Sequence, residues 1–517
     1  MASNEAQKSD MGVKWKDEPH VIEVPPLMRT SSKKIFAHRT LATPTKTLRT
    51  KSFLWLRSNV IVQNSDNDQY CNRKVMAMAL MSGALFIVGT TAGSVHYLEA
   101  QPNNKIDETR SSWPLILYYI AFGIGSLCGG TISYISGRIR ALSIFSFINP
   151  VGWLLVACAP STTVQSFGFL CCSISCGGLL SSLQVYICEI SSKISRSWLG
   201  ALGVSSAVFG YHLQYLLSEM ESISALWCGL VLAVVSSTVI MVSVFFLPES
   251  PIWLILSNRE SDAVQALTSL KTDDSDSMSE FLLIKTSIHM ERSCPTLWKA
   301  FKRAIVLCMF IHGLVTLDAI PMMNNPGEMV TGPYSLAGAL MFIPLMKYMP
   351  RLKLLLFCLG ATFLRLVLVS ISKTFELSDD GESFSLMFFC QAAGYVISTI
   401  GLISMPLIYS TEFHSSLYRD ILHGLTITIT SISLAVWHSI MGEHLISDLF
   451  LSWFAIGLCL FLGLFVSIYL HETRDKHLAE LEQSSTGRKV MATHYKTSRE
   501  TSTVDLPYPH PSLQFTL

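Results

Sequence analysis

Long apolar runs, separated by short charged clusters, dominate the chain between about residue 75 and residue 470. A run of roughly twenty apolar residues can cross a bilayer as one helix, and 225–247 and 449–470 are clear examples. The pattern predicts an all-α membrane protein with twelve transmembrane helices. The predicted spans lie near 75–97, 113–135, 141–159, 164–187, 198–217, 225–247, 304–323, 329–348, 352–372, 384–409, 421–440 and 449–470.

The loop charges indicate how the chain is oriented. Loops after odd-numbered spans contain acids such as Glu219 and Asp448. Loops after even-numbered spans are basic and contain Arg138, Arg140, Lys193, Arg196, Lys347, Arg351, Lys353 and Arg419. Because cytoplasmic loops carry the excess of Lys and Arg, we expect both termini of this multi-pass protein to lie in the cytoplasm.

The distribution of polar segments divides the chain into five parts. Residues 1–73 and 471–517 are polar and are expected to form disordered cytoplasmic tails, and no cleavable signal peptide opens the chain. Residues 74–247 are predicted to form an N-terminal six-helix bundle, and 304–470 a C-terminal one. The mixed-charge segment 248–303 is the expected cytoplasmic linker between them.

An internal repeat relates the two predicted bundles. One offset of 223 positions connects three pairs at matching points of the topology: Glu189 with Glu412, Arg196 with Arg419, and Glu249 with Glu472. The coincidence indicates an ancient duplication and therefore two pseudo-symmetric bundles. Such a pair, arranged around a central cavity, is suited to alternating access.

Composition excludes several classes of protein. Only 15% of the residues are charged, against about 25% in a typical soluble protein. The net charge of +1 implies no nucleic-acid partner. The 13 cysteines lie mostly inside apolar runs without zinc-ligand spacing, so we expect buried thiols and no metal site.

Four motifs at the cytoplasmic ends of the predicted spans carry a resemblance to a known family. They are Gly130 with Gly137-Arg138-Ile139-Arg140, the run 185–190 with Arg196 and Gly200, the run 248–254 (PESPIWL), and Glu472-Thr473 with Leu478 and Leu481. In their order and spacing the chain resembles the sugar porter branch of the major facilitator superfamily, including the facilitated trehalose transporters of insects. The resemblance implies the major facilitator fold. It also implies a transporter of a small, sugar-like polar solute, working by facilitated or proton-coupled alternating access.

Acids at helix ends, facing arginines in neighbouring loops, can form ion pairs when the cavity opens outward and lose them when it opens inward. Exposed pairs contribute only about 0–1 kcal/mol each, so several together are needed to bias the equilibrium. The predicted cytoplasmic gate consists of Arg138, Glu189, Arg196, Glu249, Arg351, Glu412, Arg419 and Glu472. The alternative is that these charges are solvated loop residues that only set the topology.

The chain departs from the family at the gate and at the sugar site. Tyr134 and Lys347 stand where the family has Asp in its two related loops. Val204 and His312 replace expected Gln residues, and Leu407 replaces a Trp. Amide side chains both donate and accept hydrogen bonds towards sugar hydroxyls, so most of the expected sugar contacts are missing.

An ionisable residue inside a span usually faces a cavity or a partner, which singles out Asp318. Asp318 is a candidate for binding a cation, relaying a proton or receiving a sugar hydroxyl; the alternative is a hydrated position near the outer end of its helix. His312, six positions earlier, faces another side of that helix because each residue turns it by about 100°. The candidate substrate-binding residues are Asp318, His312, Thr316, His212, Gln391 and Tyr395. For His212, Gln391 and Tyr395 the alternative is an interhelical hydrogen bond.

Two functional hypotheses follow. The first is a plasma-membrane transporter whose partners are a small-molecule solute and the lipid bilayer, whose transport unit is a monomer, and which needs no cofactor beyond a possible coupling proton. The second is a divergent family member that no longer transports and acts as a membrane sensor or adaptor. An enzyme is disfavoured, because the sequence contains no GxxxxGK[ST] loop, nucleophile elbow or HExxH motif.

Overall fold

The protein is helical throughout the parts that the structure describes, and these parts contain no β-strand. The structure is a computed structural model. It describes residues 75–95, 113–193, 195–219, 225–270, 274–292, 302, 305–307, 309–311, 313–314, 328–374, 381–442, 447–474, 476–478 and 481. The predicted all-α membrane fold is confirmed.

Six long helices form the first half of the molecule. They are α1 (Val75–Val95), α2 (Trp113–Ser136), α3 (Arg138–Ala157), α4 (Thr162–Ile190), α5 (Ser195–Glu219) and α6 (Ala225–Phe246). Gly137 separates α2 from α3 with a φ of +105°, a conformation that side chains other than glycine rarely adopt. The Ser161 hydroxyl accepts a hydrogen bond from the Val164 amide and so caps α4.

Three helices follow in the predicted linker: α7 (Pro251–Leu256), α8 (Glu260–Leu270) and α9 (Asp274–Arg292). The Ser250 side chain caps α7, and Pro251 occupies its first turn, where no backbone N–H is needed. The apolar faces of these helices pack together with Leu478 and Leu481 from the end of the chain. The linker is therefore a packed layer at one end of the bundle.

The second half repeats the first. It contains α10 (helical residues 305–307, 309–311 and 313–314), α11 (Glu328–Tyr348), α12 (Arg351–Thr374), α13 (Gly381–Ile397), α14 (Ser404–Phe413), α15 (Arg419–Gly442) and α16 (Asp448–Tyr469). A six-residue π-helical segment, Ser398–Ile403, joins α13 to α14, so these two form one interrupted span.

Nine candidate membrane spans lie within the described residues, chosen by length and hydropathy. They are Val75–Val95, Leu115–Ser136, Arg138–Ala157, Thr162–Ile190, Leu226–Phe246, Arg351–Ile371, Phe389–Phe413, Arg419–Ile440 and Phe450–Tyr469. The helices α5 and α11 also occupy predicted positions but do not meet this criterion. Both face the interface between the halves, where polar side chains contact protein instead of lipid.

The helix ends correct one detail of the sequence analysis. Arg138, Arg351 and Arg419 are the first residues of α3, α12 and α15, and are not loop residues. Their side chains are buried. Because the backbone angles are set at a helix start, the direction of each arginine side chain is better defined there than it would be in a loop.

Two seams hold the halves together: α2 packs against α15, and α5 packs against α11. The internal repeat relates these seams to each other. In the first, the Thr428 hydroxyl donates to the Gly123 carbonyl at 2.8 Å. In the second, the Ser205 hydroxyl, at the position equivalent to Thr428, donates to the Ala339 carbonyl at 2.6 Å. The seams place the ends of α4, α5, α14 and α15 side by side.

Candidate functional site

All eight residues of the predicted gate lie at one end of the bundle, where α2 meets α3, α4 meets α5, α6 meets α7, α11 meets α12 and α14 meets α15, and where α16 ends. We call this the charged end. The side chains form two groups, each containing an arginine from the start of one helix and a glutamate from the end of another. Both groups connect the first half of the molecule to the second.

The first group, which we call the Arg138 arm, consists of Arg138, Glu189, Arg419 and Asp420. Arg138 Nε lies 3.0 Å from Glu189 Oε2, and Arg138 Nη2 lies 2.7 Å from Asp420 Oδ2. Arg419 Nη1 donates to Glu189 Oε1 at 3.3 Å. The Arg138–Asp420 and Arg419–Glu189 pairs both cross between the halves.

The second group, which we call the Arg351 arm, consists of Arg351, Glu412, Arg196 and Ser197. Arg351 forms an ion pair with Glu412 of its own half. Arg196 Nη1 lies 3.6 Å from Glu412 Oε1, and Arg351 Nη2 donates to the Ser197 hydroxyl at 2.8 Å. The last two contacts cross between the halves. Each half therefore supplies an arginine to the glutamate of the other.

Glu249 and Glu472 have a different role from the other six residues. Glu249 Oε1 accepts from the Arg138 amide at 3.0 Å, and Glu472 Oε1 accepts from the Arg351 amide at 3.2 Å. Both carboxylates therefore satisfy N–H groups at a helix start, where the helix dipole favours negative charge. Burial is the main cause that raises the pKa of Glu249, against the lowering effects of these hydrogen bonds and of Arg138.

The burial of the network contradicts the expectation of exposed pairs. The side chains of Arg138 and Glu189 are 0% exposed, and those of Arg351 and Glu412 are 1% and 0% exposed. Burial removes the hydration of each ion, so the net contribution of such a pair is small or even unfavourable, while loss of one partner costs about 3–5 kcal/mol. Removal of any one of these charges is therefore expected to leave its partner buried and unpaired, and so to destabilise the network.

Sequence reasoning missed Asp420 and Ser197. Asp420 directly follows Arg419, Ser197 directly follows Arg196, and the two positions are separated by the same offset of 223. The repeat would have drawn attention to them had it been extended by one residue. Neither position is among the motif residues that carry the resemblance, which include Arg196 and Gly200.

The residues that depart from the family motif also make defined hydrogen bonds in the structure. The carbonyl of Tyr134, which stands at the Asp position, accepts a hydrogen bond from Trp253 Nε1 at 3.0 Å. In the second half, Arg474 donates to the carbonyls of Tyr348 and Lys347 at 2.7 and 2.9 Å. Backbone carbonyls at the ends of α2 and α11 thus attach the linker and the C-terminal segment to the bundle.

The candidate substrate residues fall into two sets. Asp318, His312 and Thr316 lie outside the described residues. His212 Nε2 is hydrogen-bonded to the Ser335 hydroxyl across the α5–α11 seam. Gln391 and Tyr395 are half-buried on α13, and the Tyr395 carbonyl accepts from the Thr399 hydroxyl where the π-helical segment begins. Their role in binding a solute stays a prediction.

A cavity of about 710 Å³ lies between α10, α15 and α16. Among the described residues its lining is apolar, apart from Ser433 and the ring nitrogen of Trp437, and many of its side chains are exposed on the outside of the bundle. The described lining includes none of the candidate substrate residues. This cavity is therefore part of the apolar surface that faces lipid, and its lining, as far as the structure describes it, lacks the polar groups that would bind a sugar.

The sequence profile of the family described as "Sugar (and other) transporter" matches residues 63–484. The chain belongs to the sugar (and other) transporter family. Sugar transporter ERD6-like 6 of Arabidopsis thaliana is 24% identical to this transporter over 398 residues, which cover 69% of the chain and 79% of the relative. The galactose-proton symporter of Escherichia coli (strain K12) is 23% identical over 244 residues, 46% of the chain and 52% of that symporter.

Solved structures show the same fold. The proton:xylose symporter XylE, in its structure with 6-bromo-6-deoxy-D-glucose, superposes on the transporter with a TM-score of 0.67 at 15% identity, covering 80% of this chain and 98% of that one. An inward-open structure of XylE from E. coli gives a TM-score of 0.56 at 16% identity. The transporter thus has the major facilitator fold. Its family indicates transport and not enzymatic catalysis, whereas the likeness to insect trehalose transporters stays a prediction.

Proposed function

We propose that the protein carries a sugar or a sugar-like solute across a membrane by alternating access. The family supports transport of a small solute, and the relatives include proteins named as transporters of glucose and galactose. The observation that carries the mechanism is the buried cross-half network, in which each half supplies an arginine to the other's glutamate. Contacts of this kind must separate whenever the charged end opens.

The charged end is proposed to face the cytoplasm, with both termini on that side of the plasma membrane. Support comes from the excess of Arg and Lys at this end of the helices and in the segments that join them. In this orientation, the arrangement with both arms formed corresponds to a carrier closed towards the cytoplasm. Opening of that end then requires the cross-half contacts of both arms to break, and closing re-forms them after release of the solute.

The proposed solute site lies between the halves, with Asp318, His312, Thr316, Gln391 and Tyr395 as its candidate contacts. The missing family amides argue for a solute that differs from the sugar of an intact porter. Because two of the relatives are proton symporters, we propose Asp318 as the group that would carry a coupling proton. A facilitative carrier would use the same residue as a hydrogen-bond acceptor.

Uptake by purified protein in liposomes tests this function. Hexoses, disaccharides and organic ions would be compared, with and without an inward-directed pH gradient. We expect saturable uptake of at least one sugar. Coupling predicts that the pH gradient accelerates uptake and that Asp318→Asn abolishes this acceleration while exchange at equal pH persists.

Two results would contradict the proposal. Folded protein that transports no sugar in the panel, but still binds one, would favour the sensor hypothesis. A pH response that survives Asp318→Asn would remove Asp318 from the proton pathway. The comparisons do not favour the sensor, because the family match extends over both bundles.

A further inference from the structure

The two arms at the charged end are built on equivalent positions but are not equivalent in charge. Glu189 corresponds to Glu412, and Arg419 to Arg196, while Arg138 and Arg351 each begin the helix after a seam helix. The fourth member differs, because Asp420 in one arm corresponds to Ser197 in the other. Consequently the Arg138 arm has two arginines and two carboxylates, whereas the Arg351 arm has two arginines and one carboxylate.

Asp420 uses both of its oxygens on the opposite half. Oδ2 lies 2.7 Å from Arg138 Nη2, and Oδ1 accepts from the Ser133 hydroxyl of α2 at 2.8 Å. Its position in the first turn of α15 also places the negative charge at the favourable end of the helix dipole. The side chain is 2% exposed, so little water screens it.

Ser197 makes the equivalent contact with a neutral group. Its hydroxyl accepts from Arg351 Nη2 at 2.8 Å. Arg138 and Asp420 carry opposite charges that attract each other in a poorly screened environment, whereas the Arg351–Ser197 contact carries a charge on one side only. The Arg351 arm therefore has the weaker connection between halves.

We propose that Asp420 makes the Arg138 arm the main lock of the charged end, and that separation of Asp420 from Arg138 limits opening of that end. The inference rests on the proposed alternating-access function and adds to it an unequal division of the gate. The Arg351 arm opens first, and the Arg138 arm opens last. Asp420 is a positioning residue, since it acts on the equilibrium between the closed and open states.

A native cysteine lies where it reports the opening. Cys188 on α4 is 3% exposed, and its thiol lies beside the Thr411 hydroxyl of α14 in the other half. The two positions differ by 223, so the contact lies on the pseudo-two-fold axis. Cys358 on α12 is buried beside Gly401 of the same half and serves as an internal reference, because α12 packs mainly against α13, α16 and the π-helical segment of its own half.

The experiment measures the rate at which a small maleimide modifies Cys188 and Cys358 in purified full-length protein, read for each peptide by mass spectrometry. Asp420→Ser gives the Arg138 arm the chemistry of its counterpart, and we expect the Cys188 rate to rise by about tenfold, equivalent to about 1.4 kcal/mol. Ser197→Asp supplies the missing carboxylate, and we expect the rate to fall below that of the wild type. The double variant should return it towards the wild-type rate.

Ser197→Ala is the matched control, with an expected change of less than about threefold, since it removes one contact to a neutral partner. The proposal is overturned if Asp420→Ser leaves the Cys188 rate unchanged, if Ser197→Ala raises it as much, or if Cys358 reacts equally faster, which would report general loosening. Should Asp420→Ser fail to fold, a Cys188 rate in Ser197→Asp at or above the wild-type value overturns it. The reporter needs no solute, so absent sugar uptake with the expected Cys188 rates would reject the proposed substrate and leave the lock standing.

Discussion

At the scale of single residues, Gly137 shows how tightly the charged end is packed. Its φ is +105°, and a Cβ atom would lie 2.5 Å from Glu249 Oε2. We expect Gly137→Ala to lower the free energy of unfolding by about 1–3 kcal/mol, because the backbone would be strained and the Glu249 carboxylate displaced. Thermal unfolding in detergent measures the change.

Gly360→Ala on α12 is the control for Gly137→Ala. No atom lies within 4 Å of its added Cβ, and the residue is helical. Alanine is preferred to glycine in a helix by about 1 kcal/mol, so this variant should be neutral or slightly stabilising. Equal destabilisation by both variants would show that the Gly137 geometry has no special role.

His414, between α14 and α15, is expected to make the stability of the fold depend on pH. Burial lowers the pKa of His414 well below its usual value, and His423 and Arg419 lower it further. When the pKa of a histidine is lower in the folded state than in the unfolded state, protonation favours unfolding. The free energy of unfolding is therefore unaffected above the unfolded pKa of about 6.5 and falls by up to about 1.4 kcal/mol for each pH unit below that value. His414→Gln should reduce this loss, measured as the difference in Tm between pH 7 and pH 5. An unchanged difference would contradict the assignment.

At the scale of helices, small residues allow the seam between α2 and α15 to close. A Cβ atom on Gly130 would lie 2.5 Å from the Asp420 carbonyl oxygen. The apolar pattern of α2 predicted the helix and the motif indicated the glycine, but neither revealed which helix it would touch. In membranes, such glycines determine how closely helix backbones approach.

Gly130→Ala should separate α2 from α15 at the charged end and weaken the Arg138 arm. We expect a severalfold faster modification of Cys188 and a loss of about 1–3 kcal/mol in stability, the usual range for overpacking. Gly457→Ala on α16, where no atom lies within 4 Å of the added Cβ, controls for the substitution itself. A seam that tolerates Gly130→Ala without either change would have to be looser than the structure indicates.

The helix scale also includes a feature that the sequence did not predict. The π-helical segment Ser398–Ile403 interrupts the span formed by α13 and α14. The apolar run from 384 to 409 is compatible with an α-helix throughout, because a single π turn changes the register without changing composition. Such segments frequently occur at functional sites, and this one begins three positions after Tyr395 and seven after Gln391.

At the scale of the whole molecule, the proposed gate is a network of charges that alternate between the halves. Glu189→Gln and Glu412→Gln each remove a carboxylate that holds arginines of both halves. We expect each variant to change the uptake rate severalfold at an equal amount of reconstituted protein, because the buried arginines lose their partner at a cost of about 3–5 kcal/mol in the closed state. Uptake into liposomes is the measurement.

Glu260→Gln is the matched control for these two variants. The Glu260–Lys285 pair in the linker is about half exposed on both sides, and such pairs contribute only about 0–1 kcal/mol. This variant should leave uptake and stability unchanged. Normal uptake by both Glu189→Gln and Glu412→Gln would contradict the proposed gate and would favour the alternative that these charges only set the topology.

The sequence by itself determined the membrane-spanning helices, the division into halves and the residues at the charged end. Those features follow from the length of apolar runs, from the 223-position repeat and from local motifs, all of which are properties of neighbouring residues. The tertiary structure decided which charged residues pair with each other. Glu189 and Arg419 are 230 positions apart and meet only because the two seams align the halves. Packing also buried the network that was expected to be exposed, and it brought Asp420 and Ser197 into equivalent places, where one charge makes the arms unequal.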